Sequence, residues 1–117
     1  MSEMFYKNGK LDIEWLDSKA RNKANNFVYL KSNQLRNFYG EFKRIQNLSY
    51  DDFETEILPL LKLVKAKANY RTAKKQRGWD KSFDYFLKDL IDTIKDKKTF
   101  DNACMIFEAV VGFFPKQ

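Results

Sequence analysis

Apolar residues recur along this chain at helical intervals, in blocks separated by short polar segments. Leu16, Ala20, Ala24 and Phe27, with Trp15 beside them, predict a first helix over about residues 12–25. Asp12 and Glu14 suit its start, and Lys19, Arg21 and Lys23 suit its end. Asn25 and Asn26 weaken its continuation, so residues 27–31 read as a short apolar connector or a last turn. Ser32 reads as an N-cap of a second helix, in which Leu35, Phe38, Tyr39, Phe42 and Ile45 form one apolar stripe. Gly40 interrupts that stripe at a cost relative to Ala and would suit close approach of another backbone.

Ser49 reads as the next N-cap, with Asp51, Asp52, Glu54 and Glu56 in the first turns and Phe53 and Ile57 pointing inward. Pro59 removes an N–H and disfavours the helical conformation at Leu58. A kink is expected there, or a break with Pro59 in the first turn of a new helix. In that helix Leu63, Ala66, Tyr70 and Ala73 share a face, read as inward, and Lys67, Arg71 and Lys74 form a stripe beside it. Gly78 closes the helix or its loop. Ser82 then caps a helix with a Phe83, Phe86, Leu87, Leu90 and Ile94 stripe. Asp96 to Lys98 is a turn, and Thr99 caps the last helix, with Phe100, Ala103, Phe107, Val110 or Val111, and Phe114 inward. Residues 1–10 read as a loose polar start. The expected fold is all-α, a compact bundle of about five helices in one domain over residues 1–117, kinked or broken near Pro59.

Charge changes this picture from a plain bundle to a polarised one. Between Pro59 and Lys81 stand Lys62, Lys65, Lys67, Arg71, Lys74, Lys75, Arg77 and Lys81 against Asp80 alone. That segment carries +7, more than the whole chain's +6, so the remaining 94 residues carry −1. A second basic stretch holds Lys19, Arg21, Lys23, Lys31, Arg36, Lys43 and Arg44 against Glu41. Arg36 and Lys43 share one flank of their helix; beside the Lys67–Lys74 stripe, that flank would complete a continuous positive groove. Such a groove neutralises phosphates with strong salt dependence and little sequence preference. Tyr39, Tyr70 and Trp79 are candidates to stack on bases. A solvated lysine-rich face is the plainer reading, but acids occupy most other helix surfaces, which favours a directed patch.

Catalytic chemistry finds little purchase. The chain contains no histidine, the commonest general base and metal ligand. Cys104 lies in an apolar stretch and reads as a small core residue. Asp51, Asp52, Glu54 and Glu56 lack a ligand loop with a Gly turn, so helix capping is preferred over a hard-cation site. The four glycines are scattered, which argues against a Gly-rich phosphate loop. No cofactor is expected. A single cysteine, no apolar leader and no membrane-length apolar run suggest a cytoplasmic protein.

Three strings carry a family resemblance. Lys31-Ser32-Asn33-Gln34-Leu35-Arg36-Asn37-Phe38-Tyr39 resembles the Thr/Ser-x-x-Leu-Arg-x-φ-φ helix start of the Csm-type small subunit of type III-A CRISPR–Cas effector complexes, φ being apolar. Tyr70-Arg71-Thr72-Ala73-Lys74 is similar to that family's Tyr-x-x-Gly/Ala-Arg stretch. The run from Phe107 to Phe114 is similar to its Glu-Ala-φ-φ-Ala/Gly-Tyr/Phe-φ ending. Their order and spacing fit from about Asp12 to Phe114.

The resemblance implies an all-α bundle without catalysis of its own. It implies copies stacked as an inner filament beside the subunits that hold a guide RNA and the large subunit, with a basic face on the target strand. Base pairing then reads sequence, as in other RNA-guided effectors. Arg36 matches the arginine of the first motif, Lys74 stands where the family usually has Arg, and Gln34 holds a position that is often basic. Arg36, Arg71, Lys74 and Lys75 are the expected phosphate contacts, with Lys43, Lys67, Arg77 and Tyr70 as lesser contributors. The alternatives are a small helical DNA-binding regulator, a protein-interaction adaptor with a basic face, and, third, a metal-dependent nuclease built on Asp51 and Asp52.

Overall fold

The computed structural model describes residues 4–115. It contains a two-stranded hairpin, β1 (Tyr6–Lys7) and β2 (Lys10–Leu11), and a 3-10 turn at Ile13–Leu16. Six helices follow: α1 (Ser18–Asn25), α2 (Ser32–Gln46), the single turn α3 (Phe53–Glu56), α4 (Leu58–Ala73), α5 (Lys81–Asp92) and α6 (Lys97–Phe113). The all-α bundle expected from the periodicity is therefore the observed fold. Helix α6 packs on α1 and α2, while α4 packs on α5 and α2.

The hairpin departs from the loose start expected for residues 1–10, of which residues 1–3 lie outside the described residues. Asn8 (φ 53°) and Gly9 (φ 76°) form its two-residue turn, both left-handed as a primed hairpin turn requires. The hairpin is tied to the bundle. Phe5 is buried with its ring 4.8 Å edge-on to Trp15. The Trp15 indole N–H donates to the Met4 carbonyl at 3.0 Å, and the Asn102 amide donates to the Tyr6 hydroxyl at 3.2 Å. The predicted first helix splits at Asp17, where φ −141° and ψ −111° separate the 3-10 turn from α1.

Aspartates take over three helix starts where Ser or Thr was expected. Asp52 caps α3 by accepting from the Thr55 N–H, Asp80 caps α5 through the Ser82 N–H, and Asp96 caps α6 through the Thr99 N–H. A carboxylate at the positive end of a helix makes a charge-assisted bond that a hydroxyl cannot match. Thr99 instead completes a capping box, accepting from the Asp96 N–H at 3.0 Å. Lys31, not Ser32, occupies the N-cap position of α2, without a side-chain cap bond. Pro59 falls in the first turn of α4, the break being between α3 and α4.

The α2 stripe is as expected: Leu35, Phe38, Phe42 and Ile45 are buried. Gly40 faces solvent, and among the described residues nothing lies within 4 Å of where a Cβ would be, so no close backbone approach there explains it. Phe27, Phe83, Phe86 and Phe107 meet α2 in an aromatic core, with ring centroids 5.0 Å apart at Phe42–Phe107 and 6.0 Å at Phe83–Phe107.

In α4 the inward face is not the one expected. Leu61, Val64 and Ala68 are buried, whereas Leu63 and Tyr70 are 62% and 61% exposed and Ala66 and Ala73 are exposed too. Helix α4 carries apolar residues on both faces, and packing against α2 and α5 selects the Leu61 face.

Candidate nucleic-acid interface

Turning α4 over changes what its basic residues sit beside. Lys67, Tyr70 and Lys74 project from the exposed face, and the Lys74 ammonium stands 5.6 Å from the Tyr70 ring centroid. The end of the helix is held by two backbone bonds: the Lys75 N–H donates to the Thr72 carbonyl at 3.1 Å, and the Gln76 N–H donates to the Arg71 carbonyl at 3.1 Å. This double closure needs a left-handed residue at its first position beyond the cap, a place usually given to Gly. Lys75 fills it at φ 52°. Lys75 and Arg77 are both exposed, so the chain turns away from α4 with its cations outward.

Gly78 then serves two needs. Its φ is +77°, and an added Cβ would lie 3.0 Å from the Lys31 Cγ. The Lys31 N–H donates to its carbonyl at 3.0 Å, which sews the α4–α5 loop to the start of α2.

Arg71 has a different character from its basic neighbours. Its guanidinium is half-buried, 5.2 Å from the Phe38 ring centroid and 5.9 Å from that of Trp79, and its Nη1 donates to the Gln76 Oε1 at 3.1 Å. Its buried Nε has no hydrogen-bond partner among the described residues. Arg71 thus braces the loop it would share with a ligand. Trp79, a stacking candidate on sequence, is buried: its indole N–H donates to the Thr72 hydroxyl at 2.9 Å, which donates to the buried Asp84 at 2.7 Å. It offers no face to a base.

The expected continuous groove does not form. The α2–α4 groove, about 260 Å³, is lined by Asn37, Phe38, Glu41, Lys67 and Arg71. A carboxylate therefore lies among its cations. The Arg44 guanidinium, 2.7 Å away, together with the charge of Lys67, holds the Glu41 carboxyl below its ordinary pKa. Lys43 lies on the other flank of α2: its ammonium donates to Gln46 at 2.7 Å, and Gln46 donates to Asp101 of α6 at 2.9 Å. Arg36 is exposed and stands seven residues before Lys43, so it shares the α6 flank rather than the α4 one. Gln34 is half-buried, with its Oε1 enclosed and without a partner among the described residues.

Tyr39 is half-buried, edge-on to Phe107 at 5.4 Å; burial, then the nearby Glu108, pushes its hydroxyl pKa up. Of the three stacking candidates only Tyr70 is open. Lys65, on the α5 side of α4, is paired with Asp92 at 2.6 Å.

The other candidate chemistry resolves into structure. Burial pushes the Cys104 thiol up to about 12, which removes its thiolate. Asp52 is a cap, and Glu56 accepts the Asp51 and Asp52 N–H groups at 3.2 and 2.9 Å.

No pattern in the sequence marks Tyr29. It is 76% exposed beside an exposed Val28, in the connector between α1 and α2. Four apolar residues in a row concealed which two face outward. The exposure of Leu63 was hidden in the same way, by a second apolar stripe on its helix.

These features define a small all-helical bundle with one strongly basic, partly aromatic face along the second half of α4 and its exit loop. The chain matches the family model described as Csm2 Type III-A over residues 10–115, nearly its whole length, and it belongs to that family of small subunits of the type III-A CRISPR complex. No curated protein and no solved structure matches the chain at a significant level. Among the described residues, no helix is long and apolar enough to cross a membrane.

Proposed function

We propose that this subunit is a non-catalytic scaffold that holds the target RNA strand of a guide–target duplex through its phosphates. The observation that carries this reading is the run of outward cations Lys67, Lys74, Lys75 and Arg77 along α4 and its exit loop, with Lys74 beside the open ring of Tyr70, in a member of the Csm2 family. Lysines act as point charges on phosphates and carry no base code, which suits a subunit whose complex reads sequence by pairing. Arg71 contributes from the edge, with its guanidinium partly engaged by Phe38, Trp79 and Gln76. Arg36, Lys43 and Gln34 form a second, separate contact on α2.

Copies of the subunit stack with one another as an inner filament beside the backbone and large subunits, in the cytoplasm. The exposed Leu63, Ala66 and Tyr85 on α4 and α5 supply apolar surface for such a neighbour. Lys62, on the same side, borders the α4–α5 groove.

Purification of the tagged chain from its native host tests the reading, followed by ultraviolet cross-linking of bound target RNA. Recovery of a guide RNA with partner subunits, and adducts within residues 67–77, is the expected result. Recovery of the lone chain without RNA, or adducts only on α1 and α6, overturns it.

A further inference from the structure

We propose that Tyr29 is a stacking platform for one unpaired base of a bound RNA strand, an assignment that rests on the RNA-binding reading above. Tyr29 combines an exposed side chain with a hydrogen-bonded backbone. The residue is 76% exposed. The Tyr29 N–H donates to the Asp80 carboxylate at 3.0 Å, and Asp80 is itself buried and engaged in capping α5. On one side the Asn26 carbonyl accepts from the Ser82 hydroxyl at 3.4 Å; on the other the Lys31 N–H donates to Gly78 at 3.0 Å. Phe27 and Leu30 anchor the segment in the core. A platform held in this way loses little conformational freedom when a ligand covers it.

The surroundings select the ligand. The residues stitched to the Tyr29 segment are Gly78 to Asp80, flanked by Arg77 and Lys81, and the Lys31 stem lies against Gly78. Lys31, Arg77 and Lys81 are all exposed, and none is in an ion pair among the described residues. The one acid of the junction, Asp80, is turned inward and consumed by hydrogen bonds. An exposed aromatic ring on a segment tied to a loop of outward cations fits a polyanion whose units carry a flat π face. The same junction buries Trp79 on its inner side, so Tyr29 is the aromatic it presents outward.

The test measures binding of the full chain and of Tyr29→Ala and Tyr29→Phe to one labelled RNA strand, either free or annealed to its complement. Tyr29→Ala is expected to weaken single-strand binding about 5- to 150-fold, the equivalent of ~1–3 kcal/mol for one stacked base. Duplex binding and the salt slope should stay unchanged, because no phosphate contact is lost, and Tyr29→Phe should bind as the parent does.

Equal losses on single strand and duplex would overturn the assignment, as would a Tyr29→Phe loss as large as that of Tyr29→Ala. Unchanged binding by Tyr29→Ala, with a parent that binds RNA, would overturn the stacking role alone and assign the ring to a protein contact. A parent that binds neither RNA form would overturn the RNA-binding reading and this inference with it.

Discussion

Lys75 links stability to function in opposite directions. It is held at φ 52° by the two backbone bonds that close α4, in a conformation that costs an L-residue about 1–2 kcal/mol and glycine almost nothing. Glycine loses about 0.5–1 kcal/mol of that advantage through the greater freedom of its unfolded chain. Lys75→Gly is therefore expected to stabilise the bundle by about 0.5–1 kcal/mol, a rise of about 2–5 °C in Tm for a chain of this size. The same substitution removes a cation from the proposed RNA face and should lower the salt slope of single-strand binding by ~0.7. Lys75→Ala separates the two effects, since it loses the charge but keeps the left-handed backbone. Thermal melts and salt titrations of the two variants should show equal losses of RNA affinity and a higher Tm only for the glycine variant. Equal melting temperatures would refute the strain argument; unchanged RNA binding in both would remove Lys75 from the site.

The two faces of α4 can be told apart by neighbouring leucines: Leu61→Ala should cost about 2–5 kcal/mol in urea unfolding and Leu63→Ala no more than about 0.5. Asp80→Ala removes the α5 cap and strands the Tyr29 N–H, so a loss of about 2–4 kcal/mol is expected in the same assay. The Asp96 carboxyl sits below its ordinary pKa because it accepts the Thr99 N–H and hydroxyl. Its contribution is present above the unfolded carboxyl pKa and is lost as pH falls through the lower folded value. The urea midpoint should therefore fall with acidification, and less so in Asp96→Asn, which still caps. Cys104, with its thiol pushed up to about 12, should resist alkylation by iodoacetamide until the chain is unfolded.

How legible each element was depended on whether its apolar residues formed one stripe or two. Helices α2 and α6 each set a single apolar stripe against polar residues, and Leu35, Phe42, Phe100 and Phe107 are buried as expected. Helix α4 has Leu61, Val64 and Ala68 on one side and Leu63, Ala66 and Tyr70 on the other, so periodicity alone does not choose between them and only the packing on α2 and α5 does.

The Asn8-Gly9 pair is a local hairpin signal that the reading of residues 1–10 as a loose polar start leaves out. Trp79 depended on partners distant in sequence: nothing near it announces that Thr72 and Asp84 will take its N–H into the core. The basic cluster itself was legible as charge. Its division into an α4 face, a braced Arg71 and a separate α2 flank follows from the packing of α2 between α4 and α6.

Salt-dependent binding of a labelled single-stranded RNA bears most directly on the RNA-binding role. The parent chain would be compared with a triple variant carrying Lys67→Gln, Lys74→Gln and Lys75→Gln, all three at exposed positions. Between about 50 and 200 mM salt, the parent's log affinity should fall linearly with log salt, and the variant's slope should be shallower by ~2, about 0.7 for each lost phosphate contact. A variant with the parent's affinity and slope would contradict the assignment of the α4 face to RNA.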